Sequence, residues 1–323
     1  MKAILQRSLQ FNICIVLFLL FIPACAHFQV DSEYAGPMPL PDHVVSEYSQ
    51  NNYRGDFRID FEEDRGLYVF RRITIDSGND TIMESQIKLE FYDIKSDQKK
   101  PVIIVLPVLE GAGSIIKDFA KFYAENGYAS IIVNRKKKYV KRYNFNEVNG
   151  ILKEVVLNHK QVIDWIETRN DLDKERIGVF GISFGGIKSA LISQLDNRIS
   201  ASVLALAGGD LPYILSYSNE NTLVEKREEF MQNNRATREQ LYDKLTRLIT
   251  CDPINYAKHM DARNTMMILA IFDKCVPFVK GRELRRKIGN PETVYLFAGH
   301  YTSILYKGYV KRLSLKFFRK KFR

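Results

Sequence analysis

Short apolar runs of strand length alternate along this chain with longer stretches in which apolar residues recur every three to four positions. Segments 67–75 and 85–94 are rich in β-branched and aromatic residues. The turn-forming Ser77-Gly78-Asn79-Asp80 between them predicts a hairpin. Residues 101–106 (PVIIVL) are apolar without a break, the pattern of a strand covered on both faces. A helix follows over 114–126, with Ile116, Phe119, Ala120 and Tyr123 on one face, Ser114 at its start and Gly127 as its stop. Residues 128–133 predict another buried strand. The pattern over 147–169 predicts a long helix with Ile151, Val155, Val162, Ile163 and Ile166 near one face. Segments 177–180, 201–207, 266–272 and 293–297 are further short strands, and a helical pattern closes the chain. A hairpin followed by repeated strand–helix units predicts an α/β fold, with a mostly parallel central sheet and helices on both faces. Residues 211–262 break the alternation with helical stretches over 223–233 and 237–250, which predicts a cap insertion.

The first residues stand apart from this pattern. Lys2 and Arg7 precede an apolar run over 11–24, a basic segment followed by a hydrophobic one as in a secretory signal peptide. The run is shorter than the ~20 apolar residues of a membrane-spanning helix and contains Pro23. Ile22-Pro23-Ala24-Cys25 resembles the processing site of bacterial lipoproteins, in which the cysteine becomes lipidated. The expectation is therefore a signal over 1–24, an anchor at Cys25, and an exported protein held on a bacterial membrane. Residues 25–52 are polar and carry Pro37, Pro39 and Pro41, which predicts a semi-rigid tether to a folded body over 53–323.

Composition changes this picture in one respect. The chain has 323 residues, 46% of them apolar, which excludes a disordered or collagen-like protein. Its 48 Lys and Arg exceed its 38 Asp and Glu by ten, at first sight a nucleic-acid signal. Two local patches account for the excess. Residues 306–323 hold eight basic residues and residues 135–142 hold six, neither with an acid, and what remains of the mature chain is acidic. The C-terminal patch interleaves Val310, Leu313, Phe317 and Phe318. It reads either as a basic amphipathic helix on an anionic membrane or as a final helix packed on the sheet with a solvated basic face. The other patch follows a strand end and would favour anionic substrates. No nucleic-acid partner is expected.

The candidate chemistry sits at strand ends. Gly181-Ile182-Ser183-Phe184-Gly185 is a G-x-S-x-G pentapeptide between a strand and a helix. A sharp strand-to-helix turn lifts the serine oxygen above the sheet, and the small flanking residues let the backbones pass closely. A serine nucleophile needs a base, and His300 lies in a short loop just beyond the last strand. His159, inside the long helix, reads as a surface or packing residue. For the acid that orients His300 there are two candidates at strand ends: Asp273, on the strand before the histidine, and Asp210, one strand earlier. The histidines and cysteines lack metal-ligand spacing, so neither a metal nor a cofactor is expected. Export would expose Cys251 and Cys275 to an oxidising compartment, which leaves a disulfide between them open.

On PVIIVLPVLEG (101–111), GYASIIVNR (127–135), RIGVFGISFGG (176–186), FDKCVP (272–277) and AGHY (298–301), the chain resembles the α/β-hydrolases over about residues 60–318. Within them it is similar to the dienelactone-hydrolase-like bacterial esterases. The resemblance implies a triad of Ser183, Asp273 and His300, and an oxyanion hole from the backbone N–H groups of Phe184 and Leu109. Two departures stand out: dienelactone hydrolases proper use a cysteine nucleophile, and the His-Gly pair common after the first parallel strand is replaced by Pro107-Val108. The expected function is a serine hydrolase cleaving a small carboxylic ester through an acyl-enzyme. The alternatives are a serine peptidase or acyltransferase on the same triad, or a binding lipoprotein that keeps the fold without the chemistry.

Overall fold

The computed structural model describes residues 26–49, 56–76, 86–109, 111–134 and 144–323. The signal segment with Cys25, the hairpin loop, Glu110 and the basic run over 135–142 lie outside the described residues. Among the described residues ten strands form one sheet: β1 (Ala26–Phe28), β2 (Phe57–Asp64), β3 (Tyr68–Asp76), β4 (Gln86–Ile94), β5 (Lys100–Leu106), β6 (Ala129–Asn134), β7 (Leu172–Ile182), β8 (Ala201–Ala205), β9 (Thr265–Ala270) and β10 (Glu292–Leu296). Their spatial order is β1-β10-β9-β8-β7-β5-β6-β4-β3-β2. From β6 to β10 all neighbours are parallel, whereas β4, β3, β2 and β1 join antiparallel.

The apolar run of β5 shows why the sheet is covered twice. Ile103 and Val105 enter the core beneath α2 (Ser114–Ala124), while Val102, Ile104 and Leu106 enter the core beneath α3 (Val148–Thr168). Successive strand side chains point to opposite faces, so a strand with helices on both sides must be apolar throughout. The α2 face also carries the C-terminal helix α10 (Lys307–Lys321). The α3 face carries α4 (Phe184–Leu195) and α9 (Phe278–Ile288). Between β8 and β9 come α5 (Leu211–Tyr217), α6 (Asn221–Asn234), α7 (Arg238–Leu248) and α8 (Pro253–Tyr256), which form the helical insertion expected over 211–262. Among the described residues no helix is long and apolar enough to cross a membrane.

One expectation changes, and two readings left open are decided. The segment read as a tether lies on the body instead. Ala26–Phe28 pairs with β10, and α1 (Asp42–Glu47) leads into Tyr48, buried with Val44 in the main core. The Tyr34 hydroxyl donates to Met260 O at 3.0 Å. Prolines set the extended course, but scattered apolar residues (Val30, Tyr34, Leu40, Val44 and Tyr48) decide that it packs. The C-terminal helix realises the second of its two readings. Its Val310, Leu315, Phe317 and Phe318 are buried against the sheet, and the Phe318 ring occupies the space a side chain at Gly178 of β7 would need. Its apolar face is therefore spent on the core, and Lys307 and Lys311 pair with Asp118 of α2 at 2.9 and 2.8 Å. Finally, Cys251 and Cys275 are both buried and both free thiols.

His159 is a packing residue, fully enclosed within α3. One ring nitrogen donates to Val155 O at 2.7 Å, and the other has no hydrogen-bond partner among the described residues. Burial therefore drives the imidazole down from 6.5 to about 4, a shift the Val155 bond opposes and the Lys188 ammonium reinforces. Between those values the unfolded chain binds a proton that the folded chain refuses, so stability present above pH 6.5 is lost as pH falls towards 4. His159→Leu should reduce the loss in unfolding free energy between pH 7 and 4 by up to about 3 kcal/mol. Denaturant titrations at the two pH values measure it; equal losses in both proteins would refute the assignment.

Candidate active site

Ser183 sits on the turn between β7 and α4 with φ 58° and ψ −125°. Its N–H donates to Ala205 O at 2.8 Å, which ties the turn to β8, and its carbonyl accepts the N–H of Ile187. The neighbouring glycines are there because nothing larger fits. A Cβ at Gly181 would lie 2.2 Å from Gly185 O, and one at Gly185 would lie 2.4 Å from Leu106 O. Strand β7 thus hands over to α4 within one residue, at the carboxyl edge of the parallel sheet. Phe184 is the first residue of α4, so its N–H is among those a helix leaves without an internal acceptor, at the positive end of the helix dipole. Leu109 lies on the loop that leaves β5 through a tight Val108–Gly111 turn.

Asp273 follows β9 and is almost fully enclosed, its side chain 2% exposed. Its Oδ1 accepts the N–H groups of Cys275 and Val276, both at 2.9 Å, and its Oδ2 accepts Nδ1–H of His300 at 2.7 Å. Every lone pair that matters is directed: the loop fixes one oxygen, and the other fixes the imidazole. With the proton held on Nδ1, Nε2 keeps its lone pair for a substrate-side proton. The histidine loop is fastened from within, since Ser303 Oγ donates to His300 O at 2.5 Å and Gly299 N–H donates to Thr302 Oγ1 at 2.8 Å.

Asp210, the rival acid, does not reach the histidine. It has φ 61°, caps α5 by accepting Tyr213 N–H, and pairs with Lys280 Nζ at 2.6 Å. Cys275 lies close to the pair, within 4.8 Å of the Asp273 and His300 ligand atoms. Burial and the Asp273 carboxylate push its thiol up to about 11, so it is no thiolate nucleophile at neutral pH.

Two cavities meet at Ser183. The larger, about 300 Å³, is lined by His300, Tyr301, Ser303 and Lys307 together with apolar residues of α2 and the histidine loop. The smaller, about 70 Å³, lies under the helical insertion and is lined mainly by Leu109, Ile151, Phe184, Leu211, Leu215 and Leu223. Leu109 and Glu220 border both cavities, and Glu220 is held by accepting Leu223 N–H at the start of α6. Sequence reasoning missed the cap residues Leu211, Leu215, Glu220 and Leu223 as cavity walls. Their only signal was an apolar stripe on an insertion, which gives no hint of the direction it faces.

Residues 90–241, just under half of the chain, match the dienelactone hydrolase family. A comparison with curated proteins finds no match. Among solved structures the chain is similar to acetyl xylan esterase 1 from Thermoanaerobacterium sp. JW/SL YS485, with TM-score 0.67 and 16% identity, covering 92% of this chain and 100% of that one. It is also similar to the acetyl xylan esterase from Paenibacillus sp. R4, with TM-score 0.64 and 16% identity over 84% and 91% of the two chains. The acylaminoacyl peptidase of Pyrococcus horikoshii aligns with TM-score 0.55 and 16% identity, over 83% of this chain and 50% of that one. At such identities the structural likenesses speak for the fold alone, and that fold is the α/β-hydrolase fold.

Proposed function

Taking the chain as an α/β-hydrolase whose residues 90–241 match the dienelactone hydrolase family, we propose that it is a serine hydrolase of carboxylic esters. The observation that carries this reading is the Asp273–His300 hydrogen bond at 2.7 Å beside a cavity that Ser183 and His300 line together. In this mechanism Ser183 Oγ attacks the ester carbonyl carbon while His300 Nε2 takes the hydroxyl proton. Negative charge gathers on the carbonyl oxygen, and the Phe184 and Leu109 N–H groups stabilise it; donors of this kind act only on charge that develops in the reaction. The tetrahedral intermediate collapses, His300 returns its proton to the departing alkoxide, and an acyl-serine forms. Water then attacks that ester with its proton going to the same nitrogen, and the acid leaves as Ser183 recovers its hydrogen. The same groups would serve an amide or an acyl acceptor other than water. The ester reading is preferred because the family match points to ester hydrolysis.

Lipidation at Cys25 and residence on a bacterial membrane belong to this proposal too. Strand β1 begins at the next residue, so a lipid on Cys25 would moor the body at the β10 edge of the sheet with no spacer between them.

A fluorophosphonate reagent should label the full-length protein stoichiometrically, with the modified peptide carrying Ser183 and ester hydrolysis lost in proportion. Mass spectrometry locates the adduct. A folded protein that takes up no label would refute the serine mechanism.

A further inference from the structure

The two cavities divide the substrate between them, and the division follows from proton chemistry. His300 must deliver its proton to the departing alcohol oxygen, so the alcohol lies on the histidine side of Ser183. His300 lines the 300 Å³ cavity and is absent from the lining of the 70 Å³ one. The acyl chain is left with the smaller cavity. That space is dry in character, for its walls are almost wholly aliphatic and aromatic carbon. Of its polar residues, Ser183 is the nucleophile, Glu220 is engaged at the start of α6, and Cys275 holds a neutral thiol. A volume of about 70 Å³ is about half that of the ~150 Å³ apolar cavity that takes up benzene, which leaves room for about three carbons beyond the ester carbonyl.

We infer that the helical insertion makes this enzyme selective for short unbranched apolar acyl chains of about four carbons, held between Leu109, Ile151 and the cap residues Leu211, Leu215 and Leu223. This inference rests on Ser183 acting as the nucleophile. Acetyl esters leave the cavity empty and forgo its contacts, and chains of ten carbons or more overfill it. Anionic acyl groups are disfavoured because the walls are apolar and the Glu220 carboxylate borders the cavity. The larger cavity, with Ser303, Tyr301 and Lys307 on its wall, takes a bulkier and more polar alcohol.

The test is kcat/KM for p-nitrophenyl esters from acetate to dodecanoate, all with one leaving group, on the full chain. Each buried methylene should raise kcat/KM about fourfold, giving roughly a fifteenfold rise from acetate to butanoate, a maximum at butanoate and a fall by decanoate. Two opposed variants assign the effect to the cap. Leu215→Trp should cut the butanoate-to-acetate ratio at least fivefold, and Leu223→Ala should move the maximum to longer chains. Both readouts are ratios within one protein, so partial unfolding of a variant does not alter them. A profile that is flat, that peaks at acetate or that climbs through dodecanoate overturns the inference, as does a cap variant of each kind with an unmoved profile. Hydrolysis that survives replacement of Ser183 instead overturns the mechanism beneath it, so the two failures are distinct.

Discussion

Ser183→Ala should lower kcat for short p-nitrophenyl esters by roughly 10⁴–10⁶, with the unfolding transition little changed. Removing the hydroxyl removes the acyl-enzyme route altogether. The residual rate then comes from binding and the oxyanion donors, which in comparable triads leave about 10³–10⁴ over water. The backbone has no reason to move. Alanine tolerates the positive φ of residue 183 no worse than serine, and the Ser183 N–H to Ala205 O bond does not involve the side chain. Steady-state rates on protein purified to exclude contaminating esterases, together with a denaturant titration, decide the matter. A loss below tenfold would remove Ser183 from the mechanism.

The second large effect is expected at Asp273, and its direction follows from which oxygen does what. In Asp273→Asn the Cys275 and Val276 N–H groups select the amide oxygen for the Oδ1 position, because only an acceptor satisfies them. The amide NH₂ then faces His300 Nδ1 and donates to it, which forces the imidazole proton onto Nε2. A histidine protonated there cannot accept the Ser183 proton, and a loss of about 10⁴ in kcat is expected. Asp210→Asn is the companion measurement. It disturbs the Lys280 pair and the cap of α5 but not His300, so activity should stay within about threefold of the parent. A reversed order of the two losses would make Asp210 the acid.

The parallel centre of the fold was legible in the sequence for a physical reason. A strand covered on both faces has no polar position to spare, so PVIIVL could be little else, and its six-residue reading differs from β5 by one residue. The glycines of GISFG are legible for a related reason, since contacts near 2.3 Å admit no side chain. Strand β2 was illegible. Its sequence FRIDFEED is exposed along its whole length and joins the sheet through backbone pairing with β3, for which a charge-rich segment carries no pattern. The choice between Asp273 and Asp210 was open for a different reason. Both end strands in the right order, and only the fold shows which loop turns its carboxylate towards the last strand. The course of residues 26–48 depended on scattered single anchors such as Tyr48, which periodicity does not register.

The geometry of residue 183 has one more consequence, and it concerns stability rather than chemistry. A non-glycine residue held at φ 58°, ψ −125° costs on the order of 1–3 kcal/mol, against about 5–15 kcal/mol for the whole of a folded domain. Glycine would relieve most of that strain, and glycines stand two residues before and two residues after. The turn is therefore built around its least comfortable member. A selection that weighed only persistence of the fold would have emptied this position of its side chain. Serine at this position marks a place where the molecule accepts a weaker fold in exchange for a hydroxyl group.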